Sequence, residues 1–424
     1  MVAPCAQEAG IVKTVKGLII PVLASEITMT QRKIFIYISV VYRTSLNYVK
    51  SVVDYNFHKE MKMMRCNLFS LGILGVLLVV SQNISACTGA KLIAADGSVV
   101  RGRTLEFAQK LNSDAVVIPR NYQYTGNTPS EINGLKWKTV YAVAGANFCG
   151  EPHVMDGVNE KGLSGGTFYF PGFTGYQTFE KAKASSTLAP WQLLTWILTS
   201  FKDIEEVKAA ISKVIVYNAV FPPWKATMPL HYIITDVKGG SIVIEYVDGK
   251  LNIYDNPTGV LTNAPDFKWH LTNLNNYIKM SPQAGTARSV NSRKLFPLGQ
   301  GSGMLGLPGD FTPPSRFVRV FFFAASSLPQ KDGESAVFHL FHILNNFDIP
   351  VGTVRSEENK ISSFDRTEWT SACDLKSRYF YYRTETNSRI RVLKLMECNL
   401  DAKKIMKYKM ADSEIPEDIS GKLR

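Results

Sequence analysis

Cys87 follows a stretch that reads as a secretion signal, so cleavage before it would put a thiol and a free α-amine on one residue. A thiol attacking a carbonyl needs a base, which most cysteine hydrolases recruit as a histidine from elsewhere in the fold. An α-amine ordinarily titrates at about 7.7–8.0, so part of it is neutral near pH 7 and able to take the thiol proton directly or through water. Cys87 would then be nucleophile and base at once. Such a site also needs positive charge to favour thiolate, an anchor for the amine, and donors for a tetrahedral oxyanion. Arg103 lies in the segment 100–107, which follows the turn signal Asp96-Gly97. A turn there would set Cys87 and Arg103 on neighbouring strands of one hairpin.

The signal reads in three parts: basic Lys62 and Arg65, an apolar run from Leu68 to Val80, and a polar stretch ending at Ile84-Ser85-Ala86. That order predicts secretory cleavage between Ala86 and Cys87. The run of about 13 residues falls short of the roughly 20 that a membrane-spanning helix needs. Ile84-Ser85-Ala86-Cys87 also fits the bacterial lipoprotein pattern, in which acylation would remove both reactive groups. Polar Ser81, Gln82 and Asn83 between the run and the cysteine weigh against lipidation. Because Met61, Met63 and Met64 offer later starts, residues 1–60 are expected to be an over-extended N-terminus outside the working protein. Residues 61–86 would be the signal peptide and residues 87–424 a single domain, exported to the periplasm or secreted from a bacterium.

Removing the first 86 residues leaves 338 of the 424, ample for one core. That leader carries nine Lys/Arg and four Asp/Glu, so the remainder keeps +7 of the formal +12. The excess is mild, and no basic run with interleaved aromatics marks a nucleic-acid surface. Cys87, Cys149, Cys373 and Cys398 are widely spaced without a CxxC pair, which argues against structural zinc. Export permits disulfides, but a nucleophilic Cys87 would leave an odd number of other thiols. Gly299-Gln300-Gly301-Ser302-Gly303 lacks the preceding strand and the Lys-Ser/Thr of a nucleotide loop and reads as a flexible loop. His339 and His342, three apart on an apolar helix, have no third ligand in reach by sequence and read as core or surface histidines.

The elements that must hold these residues alternate in type. Residues 87–170 read mainly as strands, including 115–118 and 139–146, punctuated by Gly, Asn and Pro. Two helices follow at 188–201 and 204–214, the second with Asp203 as N-cap and Glu205 and Glu206 in its first turn. Strands at 231–237, 241–247 and 250–254, joined by Lys238-Gly239-Gly240 and Asp248-Gly249, predict an antiparallel meander. Helical patterns return at 267–279, 316–327 and 334–346, and 367–395 is strand-rich again. The sequence predicts layers of antiparallel sheet faced by helices.

Six segments together carry a resemblance: Cys87-Thr88-Gly89, Gly102-Arg103-Thr104-Leu105-Glu106, residues 156–163, Phe170-Pro171-Gly172, residues 261–265, and Pro314-Ser315-Arg316-Phe317. As an ordered set over residues 87 to about 395 they resemble the choloylglycine hydrolase family of bile salt hydrolases and penicillin V acylases, which are N-terminal nucleophile hydrolases. The resemblance implies an α+β fold, a four-layer αββα sandwich, and hydrolysis of linear, non-peptide amides through a Cys87 acyl-enzyme. It makes Arg103 the positive partner of Cys87, Asn263 a side-chain oxyanion donor, and Arg316 the residue completing the charged site. Tyr169 would lend its backbone N–H to the oxyanion. Tyrosine at that position leans toward penicillin V acylases, since bile salt hydrolases tend to have Asn there. Glu106 stands where the family has aspartate, keeping the carboxylate with one extra methylene, and would anchor the amine.

By the same resemblance no cofactor or metal is needed, the partner is a small-molecule amide, and homotetramers occur. Expected substrates join an apolar acyl group to a small polar amine: phenoxyacetyl β-lactams, N-acyl homoserine lactones or conjugated bile acids. The expected activity is penicillin V acylase-like, extending to N-acyl homoserine lactones; the rival readings are a conjugated bile salt hydrolase and a lipid-anchored, non-catalytic binding protein with the same fold. A papain-like hydrolase is disfavoured because no Cys-Gly-Ser-Cys-Trp segment surrounds any cysteine.

Overall fold

The strand that carries Arg103, Val99–Phe107, is buried at all nine of its residues, the pattern of a strand covered on both faces. In the computed structural model, which describes residues 86–129, 132–358 and 361–423, that cover comes from helices on one side and a second sheet on the other. The expected signal segment, apart from its last residue Ala86, and the residues before it lie outside the described residues.

The strands of the two large sheets are, in chain order, β1 (Thr88–Ile93), β2 (Val99–Phe107), β3 (Asp114–Ile118), β4 (Val143–Asn147), β5 (Val154–Asn159) and β6 (Ser164–Tyr169). Then follow β7 (Leu230–Thr235), β8 (Ser241–Val247), β9 (Lys250–Asp255), β10 (Val354–Glu358), β11 (Ile361–Asp374), β12 (Tyr379–Thr384), β13 (Asn387–Lys394) and β14 (Met406–Lys409). One antiparallel sheet runs β1-β2-β11-β12-β13 with β10 also on β11, and the other runs β9-β8-β7-β6-β5-β4-β3-β14. Among the described residues the α-helices are α1 (Pro190–Ser200), α2 (Ile204–Ile211), α3 (Phe267–Asn273), α4 (Pro313–Ser326) and α5 (Gly333–Leu344). Helix α1 packs on β5, β6 and β7, while α4 and α5 pack on β1, β2 and β11. The sheets meet through β4 and β5 against β11 and β12, so the layers are αββα.

Local chemistry accounts for most of these elements. Asp203 caps α2 by accepting from the Glu206 N–H at 3.1 Å, as its sequence position predicts. The β8–β9 turn sets Asp248 and Gly249 both at positive φ, the geometry that an Asp-Gly hairpin favours. The helix expected over 267–279 ends at Asn273 and tightens into a 3-10 turn, Leu274–Tyr277. There the Asn275 side chain bonds the Thr272 carbonyl at 2.9 Å and competes with the helical ladder. The strand expected from 139 begins only at Val143. Val140 and Tyr141 instead donate their N–H groups to the Thr199 carbonyl in α1 at 2.8 and 2.9 Å.

An ion pair lies where the sheets face each other. Arg101 of β2 and Asp156 of β5 are fully buried, and Arg101 Nη2 reaches both carboxylate oxygens at 2.8 Å. Ser164 and Ser371 add hydrogen bonds at 2.9 and 3.2 Å, giving the pair the partners that buried charges need. The Gly299–Gly303 segment is largely exposed and includes a 3-10 turn, Gln300–Met304. His339 bonds the Ser327 hydroxyl at 2.9 Å. Among the described residues no cysteine forms a disulfide, and no helix is long and apolar enough to cross a membrane.

Candidate active site

The hairpin expected from the sequence forms. β1 pairs with β2 with Thr88 opposite Thr104 and Gly89 opposite Arg103. Gly89 also exchanges backbone bonds with Leu261 at 2.8 and 3.2 Å, which draws residues 261–263 alongside β1. A Cβ on Gly89 would lie 2.7 Å from the Phe168 ring, so glycine is what lets that ring pack there. Phe168 in turn lies beneath the Arg103 guanidinium, 4.2 Å from its carbon. Helix α4 begins at Pro313 and packs on β1, placing Arg316 in its first turn against the start of that strand.

These contacts converge on Cys87, which is buried. Its backbone nitrogen donates to Asn263 Oδ1 at 2.8 Å. Arg316 Nη1 donates to the Cys87 carbonyl and, at 2.8 Å, to Thr88 Oγ1, while Nη2 reaches Asn263 Oδ1 at 2.7 Å. Arg316 Nε is held by the Phe311 carbonyl at 2.8 Å. One guanidinium therefore fixes both Cys87 and the oxygen of the Asn263 amide. Burial pulls the Arg316 pKa down to about 10, so it is still a cation at neutral pH. The Asn263 nitrogen donates to the Tyr169 carbonyl at 2.7 Å, which uses one of the two amide hydrogens.

Cys87, Arg103, Glu106, Met155, Tyr169 and Trp224 line one small cavity. Arg103 donates to the Thr167 and Thr104 carbonyls, and its Nη2 is buried with no protein acceptor among the described residues. Tyr169, the last residue of β6, sets its ring edge-on to Phe107, which stacks on Trp224 at 5.0 Å. This wall is apolar and aromatic, suited to an acyl group. Thr367 of β11 donates to Glu106 at 3.0 Å. Burial raises the Glu106 carboxyl to about 8, against the pull of the Arg316 and Arg103 cations.

The six residues singled out from the sequence thus gather within one neighbourhood. Sequence reasoning missed Thr88, which shares the Arg316 guanidinium, and Asp365. Asp365 is buried on β11, its carboxyl raised to about 7 by burial against the Arg316 charge, and the Tyr169 phenol is raised by its own burial with the Asp365 charge adding to it. No local signal marks Asp365, since its relation to the site exists only once β11 pairs with β2.

A thiol in a buried, cation-flanked pocket beside an amide donor and an aromatic wall can attack a carbonyl and hold the resulting oxyanion. Sequence comparison matches residues 87–408 to the linear amide C-N hydrolases of the choloylglycine hydrolase family. The chain is similar to a bile salt hydrolase/transferase of Clostridium perfringens, 36% identical over 328 residues, covering 76% of this chain and 96% of the relative. It is also similar, at 24% identity, to a penicillin V acylase of Pectobacterium atrosepticum, covering 71% of this chain and 78% of the relative. A crystal structure of a variant conjugated bile acid hydrolase from Clostridium perfringens superposes with a TM-score of 0.70 at 33% identity, covering 79% of this chain and all of that one. The chain belongs to the choloylglycine hydrolase family and is a linear amide C–N hydrolase.

Proposed function

We propose that the working enzyme begins at Cys87 after export and signal cleavage, and that it hydrolyses conjugated bile acids. The observation that carries the mechanism is the shared grip of Arg316 and Asn263 on Cys87, which places its nitrogen 2.8 Å from Asn263 Oδ1. In the cleaved chain that nitrogen is an α-amine. It takes the thiol proton, and sulfur attacks the amide carbon as the carbonyl π electrons move to oxygen. The second hydrogen of the Asn263 amide and the Tyr169 backbone N–H hold that oxyanion. Collapse breaks the C–N bond, the proton passes from the α-ammonium to the leaving amine, and a thioester remains. Water, deprotonated by the same amine, then attacks the thioester and releases the acid and the thiol. Glu106 anchors the α-ammonium, and Arg103 supplies positive charge.

The bile acid reading rests on 36% identity to a bile salt hydrolase against 24% to a penicillin V acylase. Penicillin V is the second reading, favoured by tyrosine at position 169 and the aromatic wall it forms with Phe107. Hydrolysis of glycocholate, penicillin V and N-acyl homoserine lactones of several chain lengths by the purified enzyme discriminates them. Glycocholate turnover at least about tenfold above the others, by kcat/KM, is the expected result, and the reverse order overturns it. Cys87→Ser is expected to lower kcat by at least about 10³-fold, a loss of transition-state stabilisation of about 4 kcal/mol. Unchanged activity would overturn the mechanism.

A further inference from the structure

Two buried histidines grip consecutive backbone carbonyls on either side of the Asn263 α-carbon. His231 of β7 is fully buried and stacks on Phe170 with ring centroids 4.3 Å apart and planes 2° from parallel. Its Nε2 lies 3.0 Å from the Thr262 carbonyl and its Nδ1 3.0 Å from Glu245 Oε1. Glu245 of β8, also fully buried, accepts in addition from the Phe267 N–H at 3.1 Å, so the carboxylate ties β7 to the start of α3. A carbonyl carries no proton, so the ring nitrogen facing Thr262 must donate.

The next carbonyl has its own holder. His270 of α3 is buried, stacks on Phe317 at 4.6 Å and 9°, and sets Nε2 3.0 Å from the Asn263 carbonyl. Its Nδ1 is buried with no partner among the described residues, so the ring is the neutral Nε2–H tautomer. Phe170 and Phe317 directly follow Tyr169 and Arg316, the residues that hold the two ends of the Asn263 amide. The grip thus spans the backbone of Asn263 and is braced against both side-chain contacts.

We propose that His270 and the His231–Glu245 pair are positioning residues, which fix the backbone at Thr262-Asn263 and so aim the Asn263 amide at the Cys87 reaction centre. This rests on the proposed oxyanion role of Asn263. Neither histidine lines the cavity with Cys87, so they act through Asn263 and not on substrate. Misplacing a catalytic group by about 1 Å can cost about 10²-fold, so a donor lost one bond away should cost somewhat less.

The test expresses the full chain and purifies the processed enzyme. It measures kcat and KM on whichever of glycocholate and penicillin V the wild type turns over faster. Asn263→Ala is expected to lower kcat by about 10²-fold or more. His270→Phe keeps the stack but loses the donor, and is expected to lower kcat about tenfold with KM within about twofold. His270→Gln, which retains an N–H, recovers most of that loss. In an Asn263→Ala background, His270→Phe should cost less than about twofold further, because the two act on one step.

A His270→Phe enzyme within twofold of wild type overturns the positioning role, as does a tenfold loss that persists undiminished in the Asn263→Ala background. Both outcomes leave the role of Asn263 intact. An Asn263→Ala enzyme with unchanged kcat overturns the oxyanion reading and the positioning role together. Should His270→Phe not fold, His270→Met, which loses the donor but adapts to the same space, is read by the same criteria.

Discussion

Four buried titratable side chains pull stability in opposite directions with pH. Glu106 is raised to about 8 and Asp365 to about 7, each chiefly by burial. Over the range from about 4 to 7–8 they are protonated in the folded chain and ionised in the unfolded one, so the folded state binds more protons and stability falls as pH rises. His270 is lowered to about 4 and His153 to about 3, also by burial. Below about 6.5 the unfolded chain binds those protons and the folded chain does not, so stability falls as pH falls. The two pairs oppose each other between about pH 4.5 and 6.5, and above that the carboxyls act alone. The melting temperature of the uncleaved chain should therefore fall from pH 6.5 to 8, and Glu106→Gln should reduce the fall. Cleavage at Cys87 should reduce it too, because an α-ammonium beside Glu106 favours its ionised form. A melting temperature that rises over this range would contradict the assignment.

At the scale of elements, the two sheets are joined by the Arg101–Asp156 pair, which links β2 to β5. Asp156→Ala leaves a buried guanidinium without its counter-charge and should cost about 3–5 kcal/mol in chemical denaturation. A loss below about 1 kcal/mol would mean that this pair contributes little to holding the sheets together. The elements themselves were largely legible in the chain. Asp203 as a cap, the Asp248-Gly249 turn and the β1–β2 hairpin each follow from neighbouring residues. The exceptions are instructive, because the early end of α3 depends on Asn275 competing for a backbone carbonyl, and the late start of β4 on two N–H groups turning to Thr199. The site was legible at Cys87 and Arg103 from local pattern. Arg316 and Asn263 stand 229 and 176 residues from Cys87, so only resemblance to a known family could select them. Asp365, His231 and His270 matter through packing between elements and have no signature in local spacing.

For the whole molecule, the proposed enzyme exists only after one peptide bond is cut. Intact-mass measurement of protein purified from an exporting bacterial host should give a chain starting at Cys87 with a free amine. A diacylglycerol adduct would instead assign the chain to a lipid-anchored form in which sulfur and amine are blocked. The same catalytic proposal places nucleophile, base and amine anchor in a pocket where β1, β2 and the loop at Asn263 come together, so no part of the chain is expected to work without the complete sandwich.

Ala86 is 2% exposed and Cys87 3%. The bond between them is therefore enclosed once the domain has formed, and a peptidase needs an extended segment of several residues to reach such a bond. The proposed maturation then has a fixed chronology, with the leader removed while the chain is still unfolded, and the sandwich closing afterwards around a terminus already made. Under that proposal a molecule that closes first is locked out of activity, and the yield of active enzyme is set by a race between cutting and folding.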